Sequence, residues 1–266
     1  MGILNVTPDS FSDGGRFWSG NHVALDGVLY RAAEMIAHGV DILDVGGEST
    51  RPGSAPVSLQ EEMDRVLPVV EALACRFEVA ISVDTSCAPV MRDALSRGAV
   101  MINDVRALRR PGALDAVADA GATVCLMHMQ GEPQFMQQAP SYADVVQDVL
   151  EFLLQRAEVC IGCGVAPDRI IIDPGFGFGK SLGQNLAIFR HLPEFVATGF
   201  PVLVGVSRKS MIGGITGRAV DGRLAGSLAL AALAVSQGVA IVRVHDVAQT
   251  RDAVDVISAV FKDTTE

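Results

Sequence analysis

Aromatic residues are scarce in this sequence, and basic residues are outnumbered by acidic ones. Only 5% of the 266 residues are Phe, Trp or Tyr, whereas 49% are hydrophobic, which indicates a core built mainly of aliphatic side chains. Acidic residues number 31 and Lys plus Arg number 21, so the formal net charge is −10. This balance argues against general nucleic-acid binding, which depends on a basic surface. An anionic substrate therefore needs a local basic pocket.

The sequence also lacks long apolar runs and an obvious cysteine framework. The most apolar helix candidate, residues 224–235, is too short to cross a bilayer, so we expect no membrane partner. No secretory segment precedes the cysteines, and we expect reduced thiols and a cytoplasmic protein. The Cys-x-x-Cys pair at 160 and 163 has no further ligands at zinc spacing, which favours incidental cysteines. The five cysteines are Cys75, Cys87, Cys125, Cys160 and Cys163.

Eight short apolar runs, each followed by a helix-length stretch, organise the chain. Each run is rich in Val and Ile, which is typical of strands covered by helices on both faces. Eight β/α units predict an α/β fold, a single (β/α)8 TIM barrel, with the active site at the C-terminal ends of the strands. The polar residues that end the runs are Asn5, Asp44, Asp84, Asn103 with Asp104, His128, Asp173, Ser207 with Lys209, and Arg243 with His245.

Loop lengths refine this picture. We find no linker, so residues 1–266 are predicted to form one domain. Residues 7–21 and 46–57 are longer and more polar than a simple connection requires, which is typical of lids.

The first helix is expected from about Val23 to Ala37. The helix predicted at 224–235 is apolar nearly all round and should be buried, so we expect a homodimer contact there.

Three acceptor side chains on different strand ends carry most of the chemical information. Asp84, Asn103 and Asp173 suit a flat heterocycle with adjacent N–H donors, because a carboxylate accepts two parallel hydrogen bonds and an amide matches a mixed edge. The alternative, that these side chains cap helices, is about equally favoured. Arg243 and His245 should share one face of the last strand. They could bind a ring and an anion, or simply form a structural salt bridge.

Two further segments fall near the predicted mouth. The turn at 174–181 fails the P-loop pattern because Pro174 stands where glycine is needed, and it also fails the dinucleotide pattern. A substrate-lining turn is favoured modestly over an ordinary βα turn. Ser207 and Lys209 lie where barrels often bind phosphate or carboxylate, whereas Arg208 should point away and be structural. The absence of His-x-His argues against a permanent zinc site.

Taken together, these residues closely resemble the dihydropteroate synthase family, the sulfonamide target of folate biosynthesis. The resemblance covers nearly the whole chain, and its motifs follow in the family's order. They are MGILNVTPDSFSDGG (1–15), DVGGESTRPG (44–53), SVDTS (82–86), ND (103–104), MHMQG (127–131), DPGFGFGK (173–180), SRKS (207–210) and RVH (243–245).

The resemblance implies a pterin-binding transferase that joins 4-aminobenzoate to (7,8-dihydropterin-6-yl)methyl diphosphate and releases diphosphate, with Mg2+ as cofactor. Asp13 and Lys209, with Asn5 and Arg51, would be catalytic, and Asn5 would lie near the Mg2+. The remaining roles follow from the matching motifs. Pterin contacts would come from Asp84, Asn103, Met127, Asp173, Lys209 and Arg243, diphosphate contacts from Asn5, Arg51, Arg243 and His245, and aminobenzoate contacts from Thr50, Pro52, Phe178 and Ser207.

Two other functions stay open at this point. A pterin-binding methyltransferase, passing a methyl group from methyltetrahydrofolate to a corrinoid, would share Asp84, Asn103 and Asp173. It would not need the Ser-Thr-Arg-Pro loop or the Ser-Arg-Lys segment, and both are present. A noncatalytic pterin-binding protein would tolerate loss of Asp13 or Asn5. The synthase is favoured over both.

Overall fold

The computed structural model describes residues 1–7, 18–19, 22–23, 25–48, 57–131, 136 and 140–261. Eight parallel strands alternate with helices along the chain, as the apolar runs predict. The barrel strands are β1 (Gly2–Asn5), β2 (Ile42–Gly46), β3 (Ala80–Asp84), β4 (Met101–Asp104), β5 (Thr123–Met127), β6 (Ile170–Asp173), β7 (Leu203–Val204) and β8 (Ile241–Val242). A short antiparallel hairpin pairs Trp18–Ser19 with His22–Val23.

The strands close into a barrel in sequence order. Strands β1 to β6 form one parallel sheet, and β7 pairs with β8. Parallel bridges join Ile172 to Val202 and Gly2 to Val244, so both gaps between these sheets are closed. The predicted fold class is confirmed. Strands β7 and β8 are shorter than the apolar runs, so Ser207, Lys209, Arg243 and His245 lie just past their ends.

Helices surround the strands. The sequence predicted that the first helix begins at about Val23. In the structure it begins at Leu25. At the start of α2 the Ser58 hydroxyl accepts the Glu61 N–H, and this helix continues through Pro68. The helices are α1 (Leu25–Ala37), α2 (Leu59–Arg76), α3 (Ala88–Ser96), α4 (Ala113–Ala120), α5 (Val145–Gly162), α6 (Leu182–Arg190), α7 (Leu192–Val196), α8 (Ser210–Thr216), α9 (Leu224–Ser236) and α10 (Val247–Phe261).

Strand alternation separates two environments inside the barrel. Successive side chains point to opposite faces of a strand, so residues two apart share a face. Met101, Cys125 and Ile171 pack together with Met1 and Leu203 and fill the lower barrel. Two residues further along the same strands come Asn103, Met127 and Asp173. The lower end is therefore an apolar plug, and polar side chains line the upper end. In the described part of the chain, no helix has the length and hydropathy needed to span a membrane.

Candidate active site

Strand register places the predicted site residues in two short rows near the C-terminal ends of the strands. Asn5 pairs with Gly46, Gly46 with Asp84, and Asp84 with Asn103 across four neighbouring strands. Met127 pairs with Asp173 across the next two. Because all these strands are parallel, their C-terminal ends face one mouth. The structure thus brings together residues that lie far apart in sequence.

Arg243 bridges two carboxylates at this mouth. Its Nε donates to Asp44 Oδ2 at 2.6 Å, and its Nη2 donates to Asp84 Oδ2 at 2.9 Å. Burial lowers the pKa of the guanidinium, but Asp44 and Asp84 outweigh it and raise this pKa above its ordinary value, so Arg243 stays cationic. Burial also raises the pKa of the Asp84 carboxyl to about 7, against the opposing effect of Arg243. Asp44 is fully buried.

Asn103 has its carboxamide orientation set by Asp44. The Asn103 Nδ2 donates to Asp44 Oδ2 at 3.2 Å. The Asn103 Oδ1 is buried and has no hydrogen-bond partner among the described residues. A buried acceptor without a partner is costly, so this atom is suited to accept an N–H from a bound molecule. The geometry matches the predicted pterin contact.

Asp173 and Lys209 lie near each other at the mouth, against the turn at 174–181. The Asp173 Oδ1 accepts the Gly175 N–H at 2.7 Å, and Lys209 Nζ donates to the Phe176 carbonyl at 2.5 Å. Burial raises the pKa of Asp173, which the nearby Lys209 opposes. Burial lowers the pKa of Lys209 to about 8. Lys209 Nζ also lies 4.7 Å from the centre of the Phe178 ring, which brings these two predicted site residues together.

Met127 belongs to a small apolar wall beside these charges. It packs in one cluster with Val105, Met129 and Met136, and the partly buried Phe178 packs against the same cluster. Methionine side chains adapt their shape to flat surfaces. The wall is therefore suited to one face of an aromatic ligand.

Ser207 and His245 contact each other across the ends of β7 and β8. The Ser207 Oγ lies 3.1 Å from His245 Nδ1 and accepts the His245 backbone N–H at 3.2 Å. The neighbouring Arg208 pairs with Asp246 instead, which confirms its structural role. Arg208 has a φ of 58°, a left-handed conformation that directs its side chain away from its two neighbours.

Four predicted residues lie outside the described residues: Asp13, Thr50, Arg51 and Pro52. Asn5, the predicted metal ligand, is described, and a Cβ built on Gly46 would lie 3.2 Å from its Oδ1. This side chain therefore faces the row that contains Asp84. Within the described ranges, no group of three or more His, Cys, Asp or Glu side chains forms a metal-binding cluster.

Sequence reasoning missed the roles of two residues. Asp44 was recognised only as the polar end of a run, yet it holds both Arg243 and Asn103. Its position two residues before Gly46, on the inward face of β2, was the available signal. Lys180 was noted only within the glycine-rich turn. It is buried beside His128, and burial lowers the pKa of Lys180 to about 7 and that of His128 to about 3.

Known proteins resemble this chain over almost its full length. The family model described as pterin binding enzyme matches residues 1–245. A dihydropteroate synthase of Escherichia coli (strain K12) is 52% identical over 259 residues, covering 97% of this chain and 90% of the relative. The chain belongs to the dihydropteroate synthase family. A family member from Haemophilus influenzae is 51% identical, covering 97% of this chain and 92% of that relative.

Solved structures of the dihydropteroate synthase family agree with this assignment. The Yersinia pestis enzyme in complex with a sulfonamide drug has a TM-score of 0.93 and 50% identity, covering 98% of this chain and 93% of that one. The Xanthomonas albilineans enzyme with 4-aminobenzoic acid has a TM-score of 0.90 and 49% identity. The match covers 98% of this chain and 92% of that one. These likenesses decide for the synthase over the methyltransferase and the noncatalytic binding protein. The chain is thus a transferase of folate biosynthesis.

Proposed function

We propose that this chain condenses 4-aminobenzoate with (7,8-dihydropterin-6-yl)methyl diphosphate by a dissociative route. The observation that carries the proposal is the convergence of Asp84, Asn103 and Asp173 with Lys209 and Arg243 at one barrel mouth. Three acceptors suit the N–H groups of a pterin, and two cations suit its carbonyl and its departing anion. Both substrates are small molecules.

The acceptors would orient the ring. Asn103 Oδ1 is a buried atom that has no hydrogen-bond partner among the described residues, and a ring N–H would provide one. Asp84 and Asp173 would each accept further N–H groups, and Met127 would pack on one face. Arg243 would stack over the ring and also contact the diphosphate with His245 and Arg51. Phe178 and Ser207, with Thr50 and Pro52, would enclose the aminobenzoate.

The bond-breaking step follows from the weakness of an aryl amine as a nucleophile. The bond between the pterin CH2 and the diphosphate oxygen breaks first, and its electron pair leaves with the diphosphate. The resulting cation is delocalised into the electron-rich ring. The amine nitrogen then bonds to the CH2, and its proton passes to solvent. Cationic residues that hold the diphosphate lower the barrier to its departure.

Mg2+ fits the donors present near β1. The ion prefers oxygen ligands, and it usually combines few protein oxygens with substrate phosphates and water. Asn5 offers one amide oxygen at the mouth, beside the row that contains Asp84. When bound, the metal would neutralise charge on the leaving diphosphate.

Asp13 provides the sharpest test of this route. We expect it to stabilise the cation while the early loops exclude water. Asp13→Ala should lower turnover by about 10²-fold while pterin affinity stays nearly intact, because the carboxylate acts after binding. The measurement is diphosphate release from the pterin diphosphate, Mg2+ and aminobenzoate, alongside calorimetric pterin binding. Asp119→Asn, at an exposed position on α4, is the control. A parallel fall in rate and pterin affinity would refute the role.

We also propose that the protein forms a homodimer and works in the cytoplasm. Helices α9 and α10 pack against each other and expose large apolar side chains. These are Leu233, Val256, Val260 and Phe261, with exposed fractions of 52%, 63%, 70% and 67%. Pairing of two such faces would bury them, as expected from the hydrophobic effect. The five free cysteines agree with a reducing compartment.

A further inference from the structure

Lys180 is a buried cation that the proposed chemistry leaves without a task. Its Nζ donates to the carbonyls of Gly175, Phe178 and His128 at 2.9, 3.1 and 3.3 Å. The same atom lies 3.0 Å from His128 Nδ1, so its three N–H groups are shared among four acceptors. Among the ion pairs of the described residues, none involves Lys180. Its hydrogen-bond acceptors are therefore three backbone oxygens and the His128 ring nitrogen, and Asp173 is a nearby opposite charge.

The backbone that Lys180 holds is unusually close to the end of β5. Gly175, Gly177 and Gly179 have φ values of 71°, 80° and 64°. A Cβ on Gly175 would lie 2.0 Å from the His128 carbonyl oxygen, and one on Gly179 would lie 2.4 Å from that of Gln130. Here the chain approaches a neighbouring backbone without intervening side chains, so directed hydrogen bonds must hold its shape. Lys180 provides three of them.

The same turn contacts Lys209. The carbonyl of Phe176, which accepts from Lys209 Nζ, lies between the two turn carbonyls that Lys180 holds. The Phe178 ring faces the same Lys209 Nζ at 4.7 Å. A change in the turn would therefore move both a hydrogen-bond acceptor and an aromatic neighbour of Lys209. Asn185 supports the turn from α6 by accepting the Gly177 N–H at 2.8 Å.

We propose that Lys180 is a positioning residue whose ammonium clamps the 174–181 turn on β5 and thereby places Lys209 and Phe178. Lys180 lies behind the turn and acts through its carbonyls rather than on substrate. The effect on catalysis rests on the proposed function, whereas the clamp itself is a property of the fold.

The test compares Lys180→Met, which keeps the stem and removes every donor, with Lys180→Arg, which keeps charge and donors. Amide hydrogen exchange at Gly177 and Phe178 should become at least ~10-fold faster in Lys180→Met and change little in Lys180→Arg. The value of kcat/KM for aminobenzoate should fall at least ~10-fold in Lys180→Met, because small misplacements reduce rates strongly. If Lys180→Arg keeps part of the slow exchange and of kcat/KM that Lys180→Met loses, donation to the carbonyls is responsible rather than the volume of the side chain.

Ile188→Val is the matched control, because Ile188 is a buried core residue on α6, the helix that follows the turn. It should lower Tm without changing exchange at Gly177 or kcat/KM. If Lys180→Met does not fold, Lys180→Gln is measured instead and should give an intermediate effect. Unchanged exchange in the variant that folds, Lys180→Met or else Lys180→Gln, would overturn the proposal, as would a rate loss that Ile188→Val reproduces. Failure of the native protein to release diphosphate would count against the proposed function instead. The hydrogen-exchange comparison would still show whether Lys180 holds the turn.

Discussion

At the residue scale, one guanidinium shared by two carboxylates organises the mouth of the barrel. Arg243 neutralises the fully buried Asp44 and the nearly buried Asp84. A buried carboxylate that loses its partner is costly, because the charge keeps its desolvation penalty and loses its compensation. Asp44 also holds Asn103, so this pair fixes an acceptor of the proposed pterin site. Stability and ligand geometry therefore depend on the same contacts.

Removing the Arg243 guanidinium should destabilise the fold measurably. We expect Arg243→Met to lower the free energy of unfolding by about 3 kcal/mol, because Asp44 is left charged and unpaired. Adding Asp44→Asn should recover about 1 kcal/mol or more, since the unpaired charge is gone. Urea unfolding at pH 7 measures both. Arg97→Met, at an exposed ion pair with Glu71, is the control and should change stability by less than about 1 kcal/mol. If the stability changes of Arg243→Met and Asp44→Asn simply added in the double variant, an unpaired Asp44 charge would not be the cause of the loss.

Asp84 should make stability depend on pH in a defined direction. Its pKa is raised from 3.8 to about 7 in the folded state. Between these values the folded protein binds more protons than the unfolded chain, so the contribution of this group to stability falls as pH rises. Asp84→Asn removes this penalty, worth about 1.4 kcal/mol per pKa unit as an upper limit. Relative to the native protein, Asp84→Asn should therefore have a more favourable free energy of unfolding at pH 8 than at pH 4.5. An equal difference between the two proteins at both pH values would refute the raised pKa of Asp84.

At the element scale, the glycine-rich turn at 174–181 is a rigid part of the site. The Ser181 side chain and Gln184 form a capping box that begins α6 directly after the turn. The Tyr142 hydroxyl donates to the Gly179 carbonyl at 2.7 Å. The turn is thus fixed from the helix, from the residues after β5 and from Lys180. Its rigidity explains how backbone atoms such as the Phe176 carbonyl can contribute to a site.

Glycine is required at position 175 for two separate reasons, and a matched position isolates one of them. Gly175→Ala combines a left-handed conformation with a Cβ that would clash with the His128 carbonyl, so we expect a loss of about 3 kcal/mol or more. Gly164→Ala, with a φ of 97° but open space around its Cβ, should cost only about 1–2 kcal/mol. Thermal unfolding of both variants checks the difference. Equal losses would mean that the close approach is not important.

At the scale of the whole molecule, an apolar surface of the described residues stays exposed on the last two helices. The last two helices, α9 and α10, contact each other extensively and expose the valines and phenylalanine of α10. They follow β7 and β8, which close the barrel between β6 and β1. An assembly through this face would leave the mouth free, because the site residues lie inside the barrel.

Disrupting this surface should separate a dimer into monomers. Val256→Glu with Val260→Glu should reduce the mass in solution from twice 28.0 kDa to a single 28.0 kDa chain, because buried charges oppose association. Sedimentation at micromolar concentration gives the mass. Tyr30→Glu, at a residue 76% exposed on α1, is the control and should leave the mass unchanged. A monomeric native protein under the same conditions would rule out the dimer.

Element types, their order and the residues at the mouth could all be predicted from the sequence. Val- and Ile-rich runs and their helical partners predict a barrel, and alternation along each strand places Asn103 and Asp173 inward. These are local properties, so periodicity of 2 and 3.6 residues is sufficient to detect them. The family resemblance added the roles, and relatives about 50% identical bore out the function.

The contacts between individual side chains could not be predicted in this way. Arg243 was expected either at a ring and an anion or in a salt bridge, and its described partners are Asp44 and Asp84, 199 and 159 residues away. Lys180 was assigned only to a turn that could line the substrate site, yet it binds the carbonyls of its own turn and of His128. Such pairings depend on barrel closure and on how closely two backbones approach. Neither quantity is encoded in local periodicity, because each results from contacts between segments that are distant along the chain.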